Sequence, residues 1–95
     1  MHMVLLLVKL QQTFFQEFAS FNGDEIIVDA YSGVGTIGMI LSKDVKEVVC
    51  VENNKQAVSA AISNGKINKI KNINFVCDDA SNYLKKLAQL GVKID

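Results

Sequence analysis

Proline is absent from this 95-residue chain, histidine occurs once, cysteine occurs twice, and all ten cationic side chains are lysine. Each scarcity closes off a class of chemistry. A single histidine at position 2 and two well-separated cysteines make neither a Cys/His metal-ligand set nor a Cys-His nucleophile pair. Cys50 and Cys77 sit in the apolar patterns Val48-Val49-Cys50-Val51 and Phe75-Val76-Cys77, where buried, unreactive thiols are expected. Charge of one sign is also missing: ten Lys against ten Asp plus Glu give a formal net charge of zero, so no basic face is implied. The densest lysine group, Lys66, Lys69 and Lys71, reads as a solvated helix end and loop. Long apolar runs are lacking too. Met3 to Val8 is far too short to span a membrane and has no signal-peptide flanks, which gives the expectation of a cytoplasmic protein with no membrane partner. At this length, 49% hydrophobic content makes one domain at most.

What is present is a buried-strand pattern running into a glycine-rich turn: Ile26-Ile27-Val28-Asp29-Ala30-Tyr31-Ser32-Gly33-Val34-Gly35-Thr36-Ile37-Gly38. A second acidic strand end, Glu52, follows about 20 residues after the first of these glycines, where a neighbouring parallel strand places a carboxylate beside ribose hydroxyls. Both features point at a nucleotide-type ligand. The spacing Gly33-x-Gly35-x-x-Gly38 alone matches the dinucleotide fingerprint, so NAD has to be weighed. Charge separates the candidates. A pyrophosphate carries about two negative charges to the turn and is repelled by Asp29 just ahead of it. S-adenosylmethionine brings a sulfonium, an ammonium and one carboxylate, so an acid there attracts its cationic end while backbone N–H groups take the carboxylate. Asp29 favours the methyl donor. The competing structural reading is an Asp that caps its own loop.

The remaining pattern alternates strands and helices. Leu7, Leu10, Phe14, Phe18 and Phe21 have the spacing of an amphipathic helix, whereas Met3 to Val8 is apolar on every side and fits either an extra strand or a buried helix start. Residues 1–21 are therefore a helical or extended N-terminal segment. After a turn at Asn22-Gly23-Asp24, Glu25 to Ala30 is a strand and Thr36 to Ser42 a short helix offering Ile37, Met39, Ile40 and Leu41 to the sheet. Lys46 to Glu52 is the next strand. Asn53 or Asn54 caps a helix with Ala57, Val58, Ala61 and Ile62 on one face, ending near Asn64-Gly65 or Asn68. Asn72 turns into the strand Ile73 to Cys77, and Asp79 or Ser81 opens a helix with Tyr83, Leu84, Leu87 and Leu90 inward and Gly91 at its end. With right-handed crossovers, this is part of an open α/β sheet with three core strands and flanking helices, a partial Rossmann-like fold over 22–95. The three strands end in acids, Asp29, Glu52 and the Asp78-Asp79 pair, on the edge where such sheets bind ligands.

Asp29-Ala30-Tyr31-Ser32-Gly33-Val34-Gly35-Thr36-Ile37-Gly38, then Val49-Cys50-Val51-Glu52, Ala57-Val58, Ala60-Ala61, Asn64 and Asn68-x-Ile70-x-Asn72-x-x-Phe75 together resemble the RNA (uracil-5-)-methyltransferase family from about Phe18 to Asp95. The resemblance implies a class I S-adenosylmethionine-dependent methyltransferase fold and a parent enzyme that methylates carbon 5 of uridine in ribosomal or transfer RNA. It implies cofactor contacts at Tyr31, Thr36, Glu52 and Asp79, beside Asp29, Gly33 and Gly35 of the turn. Many members have cysteine where this chain has Ser32, a position that is not the nucleophile. The family's next strand ends in Asp-Pro-Pro-Arg, and its nucleophilic cysteine and general base lie further on. With no proline in the chain, that motif is missing, so the expectation is a cofactor-binding fragment with no catalytic or metal-ligating residue of its own, inactive alone. Two readings stand beside it: a methyltransferase for another acceptor, and a NAD-binding or degenerate Rossmann interaction module. In a full sheet a further strand would lie beside Glu25 to Ala30. Here Met3 to Val8, or a second copy in a homo-oligomer, is expected to cover that edge.

Overall fold

Every strand pairing among the described residues is parallel, the arrangement in which strands are joined by crossovers and not by hairpins. The computed structural model describes residues 2–7, 23–30 and 35–91, with residues 2–7, Thr36 and Ile37 described by backbone alone. Its sheet has the order β1 (His2–Leu7), β2 (Glu25–Ala30), β3 (Glu47–Glu52), β4 (Ile73–Cys77). Helices α1 (Thr36–Leu41) and α2 (Lys55–Ile67) fill the β2–β3 and β3–β4 connections, and α3 (Ala80–Gln89) follows β4. This is a partial Rossmann-like sheet with flanking helices.

Strand β2 is buried at all six positions, which is why its sequence is an unbroken apolar run and not an alternating one. One face carries Ile27, Val48 and Cys50 against Leu41 and Val45, with Ile73 and Phe75 beside them. The other carries Ile26, Val28, Val49 and Val51 against Leu87 of α3, with Val76, Tyr83 and Leu84 packed around. Side chains of this size contribute about 1.5–3 kcal/mol each when fully buried, so the two clusters are the main cohesive force on β2 and β3.

The helix ends follow from local chemistry. Asn54 Oδ1 accepts the Ala57 N–H at 3.0 Å, capping α2, and Asp79 Oδ1 accepts the Asn82 N–H at 3.1 Å, capping α3. Gly91, at φ +78°, stands just beyond α3, where a left-handed residue turns the chain away. At the opposite end of the sheet the Asn72 amide donates to the carbonyls of Ser42 at 2.8 Å and Val45 at 3.2 Å. That side chain ties the loop after α1 to the loop before β4.

β1 settles the choice left open at Met3 to Val8. It lies in parallel register with β2, from His2 opposite Glu25 to Leu7 opposite Ala30. Extended pairing satisfies the β2 backbone groups that would otherwise line an open edge. Leu7 therefore belongs to a strand, while Leu10, Phe14, Phe18 and Phe21 lie outside the described residues. Four further expectations need correction. Cys77 is exposed, because it ends β4 at the rim of the sheet. Ile40 is 59% and Leu90 78% exposed: α1 is too short to bury two faces, and Leu90 is already the C-cap of α3. Ile62 is half-exposed at the margin of α2. Of the two ends read from the sequence for α2, the later one holds: the helix runs to Ile67 with Asn68 as its cap.

Candidate functional site

The carboxyl ends of β2, β3 and β4 share one rim, and the strand register states which side chains are neighbours on it. Asp29 is opposite Cys50, Cys50 is opposite Phe75, and Glu52 is opposite Cys77. Because alternate residues of a strand share a face, Asp29, Cys50 and Phe75 form one row on the face covered by α1 and α2.

The backbone at Gly35 and at Gly38 rests on this row. Gly35 begins α1 in the left-handed region, φ +82° and ψ 12°, a conformation that an L side chain adopts only with strain. A Cβ placed on Gly35 would lie 2.9 Å from Phe75 Cε1 and 3.3 Å from Ala61 Cβ. A Cβ on Gly38 would lie 2.6 Å from Cys50 Sγ, with Asp29 Oδ2 3.8 Å away. Both glycines are thus required by close approach of backbone to sheet, independently of any ligand.

Asp29 is 1% exposed, and neither carboxyl oxygen has a hydrogen-bond partner among the described residues. Burial, and secondarily the negative charge of Glu52, pushes its pKa from the ordinary 3.8 up to about 7. Glu52 is half-buried at the end of β3 and accepts the Asn54 N–H at 2.9 Å through Oε2. Its carbonyl accepts the Asp78 N–H at 3.0 Å, tying β3 to the start of the next loop.

The two acids after β4 have different partners. Asp78 accepts from the Asn82 amide and from Lys86 Nζ, each at 3.0 Å. The Asn82 hydrogen bond, followed by that from Lys86, holds its carboxyl below the ordinary value. Asp79 has Oδ1 committed to the α3 cap and keeps Oδ2 for other donors. Of the other sequence-derived residues, Gly35 is in the turn and Thr36 opens α1, while Tyr31 and Gly33 lie outside the described residues. Phe75 and Cys50 were not among the candidates. Their signal was the strand parity that aligns them with Asp29, which can be used only once the register is known.

Among the described residues no group of His, Cys, Asp and Glu could hold a metal ion, and no helix is long and apolar enough to cross a membrane. The arrangement is a rim of carboxylates at graded burial beside a glycine turn. It suits an elongated ligand with a cationic part and hydroxyl donors, and suits a pyrophosphate poorly.

Comparison with known proteins gives the same type of fold. The family described as "Conserved hypothetical protein 95" matches residues 7–95. An Enterococcus faecalis protein named "Uncharacterized RNA methyltransferase" is 42% identical over 84% of this chain and 18% of its own length. A Streptococcus mutans protein of the same name is 39% identical over 92% of this chain and 19% of its own. The chain thus spans roughly a fifth of the length of these curated relatives. Among solved structures, an rRNA methylase from Streptococcus thermophilus superposes with a TM-score of 0.65 at 25% identity, over 78% of this chain and 46% of that one. A Streptococcus mutans protein assigned as a methyltransferase and solved in complex with SAH gives a TM-score of 0.70 at 23% identity, over 83% and 46% of the two chains.

Proposed function

We propose that this chain, which belongs to the family described as conserved hypothetical protein 95, is the S-adenosylmethionine-binding part of an RNA methyltransferase whose acceptor is carbon 5 of uridine. One observation carries the cofactor assignment: Asp29 is buried beside a glycine turn with neither carboxyl oxygen bonded among the described residues. A buried acid without donors is costly to ionise. A cationic ligand nearby gives that charge a partner, whereas a pyrophosphate would raise the cost further. The names of the relatives, and SAH in the Streptococcus mutans neighbour, support the same choice.

When bound, S-adenosylmethionine supplies a methyl group activated by a sulfonium. The residues of this chain hold it. In this reading the turn containing Gly33 and Gly35 brings backbone N–H groups to the ligand's carboxylate, with Thr36 at its end. Asp29 and Tyr31 stand by the methionine part. Glu52 accepts the ribose hydroxyls, and Asp79 accepts the adenine amino group through Oδ2 while Oδ1 keeps the cap.

The uridine assignment rests on the Asp29-to-Gly38 sequence and its likeness to uracil-5 methyltransferases. That chemistry needs a thiolate to add to carbon 6 and a base to remove the carbon 5 proton. Cys50 is 1% exposed beneath Gly38, so a base cannot reach it. The reading assigns both groups to other parts of a protein of the relatives' length, and residues 1–95 to cofactor binding.

Calorimetric titration of the chain with S-adenosylhomocysteine, and separately with NAD, tests the cofactor. Binding of the first, weakened about tenfold or more by Glu52→Ala through loss of charge-assisted hydrogen bonds, is the expected result. Binding of NAD alone would overturn the assignment. For the acceptor, the full-length Enterococcus faecalis relative given unmodified RNA is expected to yield 5-methyluridine by nucleoside mass spectrometry. A methyl group on a base amino nitrogen would refute the uridine reading.

A further inference from the structure

The row under the glycine turn ends in an aromatic ring that no cofactor contact calls for. Phe75 projects from β4 with Cε1 toward Gly35, and with Cε2 and Cζ toward Gly65: a Cβ on Gly35 would be 2.9 Å from the first atom, and one on Gly65 would be 3.4 and 3.6 Å from the other two. The ring is therefore wedged between the turn and α2. Gly65 is buried in the last turn of α2. A Cβ there would meet the ring at ordinary van der Waals distance, so the ring lies in close contact with the α2 backbone at Gly65.

We propose that Phe75 is a positioning residue: its ring sets the height of Gly35 above the sheet and so pre-forms the turn that receives the cofactor. The proposal rests on the reading that this turn holds S-adenosylmethionine. Gly35 has no side chain to anchor it, and its left-handed backbone is held by what lies beneath it and by its carbonyl, which accepts the Met39 N–H at 3.0 Å. Beneath it are the ring of Phe75, Ala61 Cβ and, at 3.6 Å from the same Cβ position, Met39 Cε. Ala61 is too short to adjust and the Met39 side chain is flexible. The rigid ring is the part of this floor that defines a distance. Small displacements at a binding turn are enough to change affinity by an order of magnitude or more.

Leucine and methionine in place of Phe75 separate positioning from plain burial. Both are apolar and of similar volume, but leucine ends at its δ carbons and methionine reaches an ε carbon. In the full 95-residue chain, Phe75→Leu is expected to weaken S-adenosylhomocysteine binding about tenfold and to speed exchange of the Met39 amide, while amides of Val49 and Val51 change little. Phe75→Met is expected to restore most of the affinity. A merely structural role would lower thermal stability in both variants and leave the dissociation constant, measured well below the melting temperature, the same. Equal affinity of wild type and Phe75→Leu would therefore overturn the positioning role and leave the cofactor reading standing. Should the wild type bind no S-adenosylhomocysteine, the cofactor reading fails, and Met39 exchange alone decides whether Phe75 sets the turn.

Discussion

Two carboxylates of one rim are held in opposite ways, and the difference is a matter of single atoms. Asp78 has an amide and an ammonium at 3.0 Å, and they hold its pKa below the ordinary value. Asp29 has neither, and burial raises its pKa to about 7 from 3.8. The consequence for stability has a definite sign. The folded chain holds the Asp29 proton more tightly than the unfolded chain, so the contribution is complete below about pH 4 and is lost as pH rises through about 7. Between those limits the slope approaches −1.4 kcal/mol per pH unit. Urea unfolding is thus expected to show a lower midpoint at pH 8 than at pH 5 from this group. Asp29→Asn, which keeps the shape without the charge, is expected to remove that difference and to be the more stable protein at pH 8. Parallel pH profiles for the two chains would show that Asp29 ionises as readily folded as unfolded.

At the scale of elements, what was legible in the chain depended on how local its cause is. The range of β2 from Glu25 to Ala30 and of β4 from Ile73 to Cys77 could be read directly, because apolar runs bounded by turn residues carry their own limits. The same holds for the caps at Asn54 and Asp79, whose side chains bond within their own first turn. Side-chain orientation at element ends was less legible. Leu90 keeps the helical spacing of Tyr83, Leu84 and Leu87 but falls on the cap, past the last residue that can reach the sheet. Cys77 keeps the strand alternation but lies at the rim, with its sulfur 3.8 Å from the Asn53 carbonyl. The candidate site divides in the same way. The acids at three strand ends were visible from sequence. The floor of Asp29, Cys50 and Phe75 was not, since it exists only through pairing of strands far apart in the chain.

At the scale of the molecule, the decisive feature is the edge of β2. A parallel strand buried at every position is an interior strand, and its neighbours have to supply hydrogen bonds on both sides. β3 does so on one side. On the other, six consecutive residues of β1 stand opposite Glu25 to Ala30, in the place where a second copy of the chain was the alternative. If β1 is what keeps β2 interior, removing residues 2–7 leaves an apolar strand with open N–H and C=O groups, the geometry that recruits other chains. The shortened protein is expected to show a larger scattering mass than the full chain at the same concentration, or to precipitate, and to unfold at lower urea. The test separates two ways of covering the sheet. Should the shortened chain match the full one in both mass and stability, β1 is dispensable and β2 is protected by other means. An increase in mass would instead show that the strand and a second copy compete for one edge.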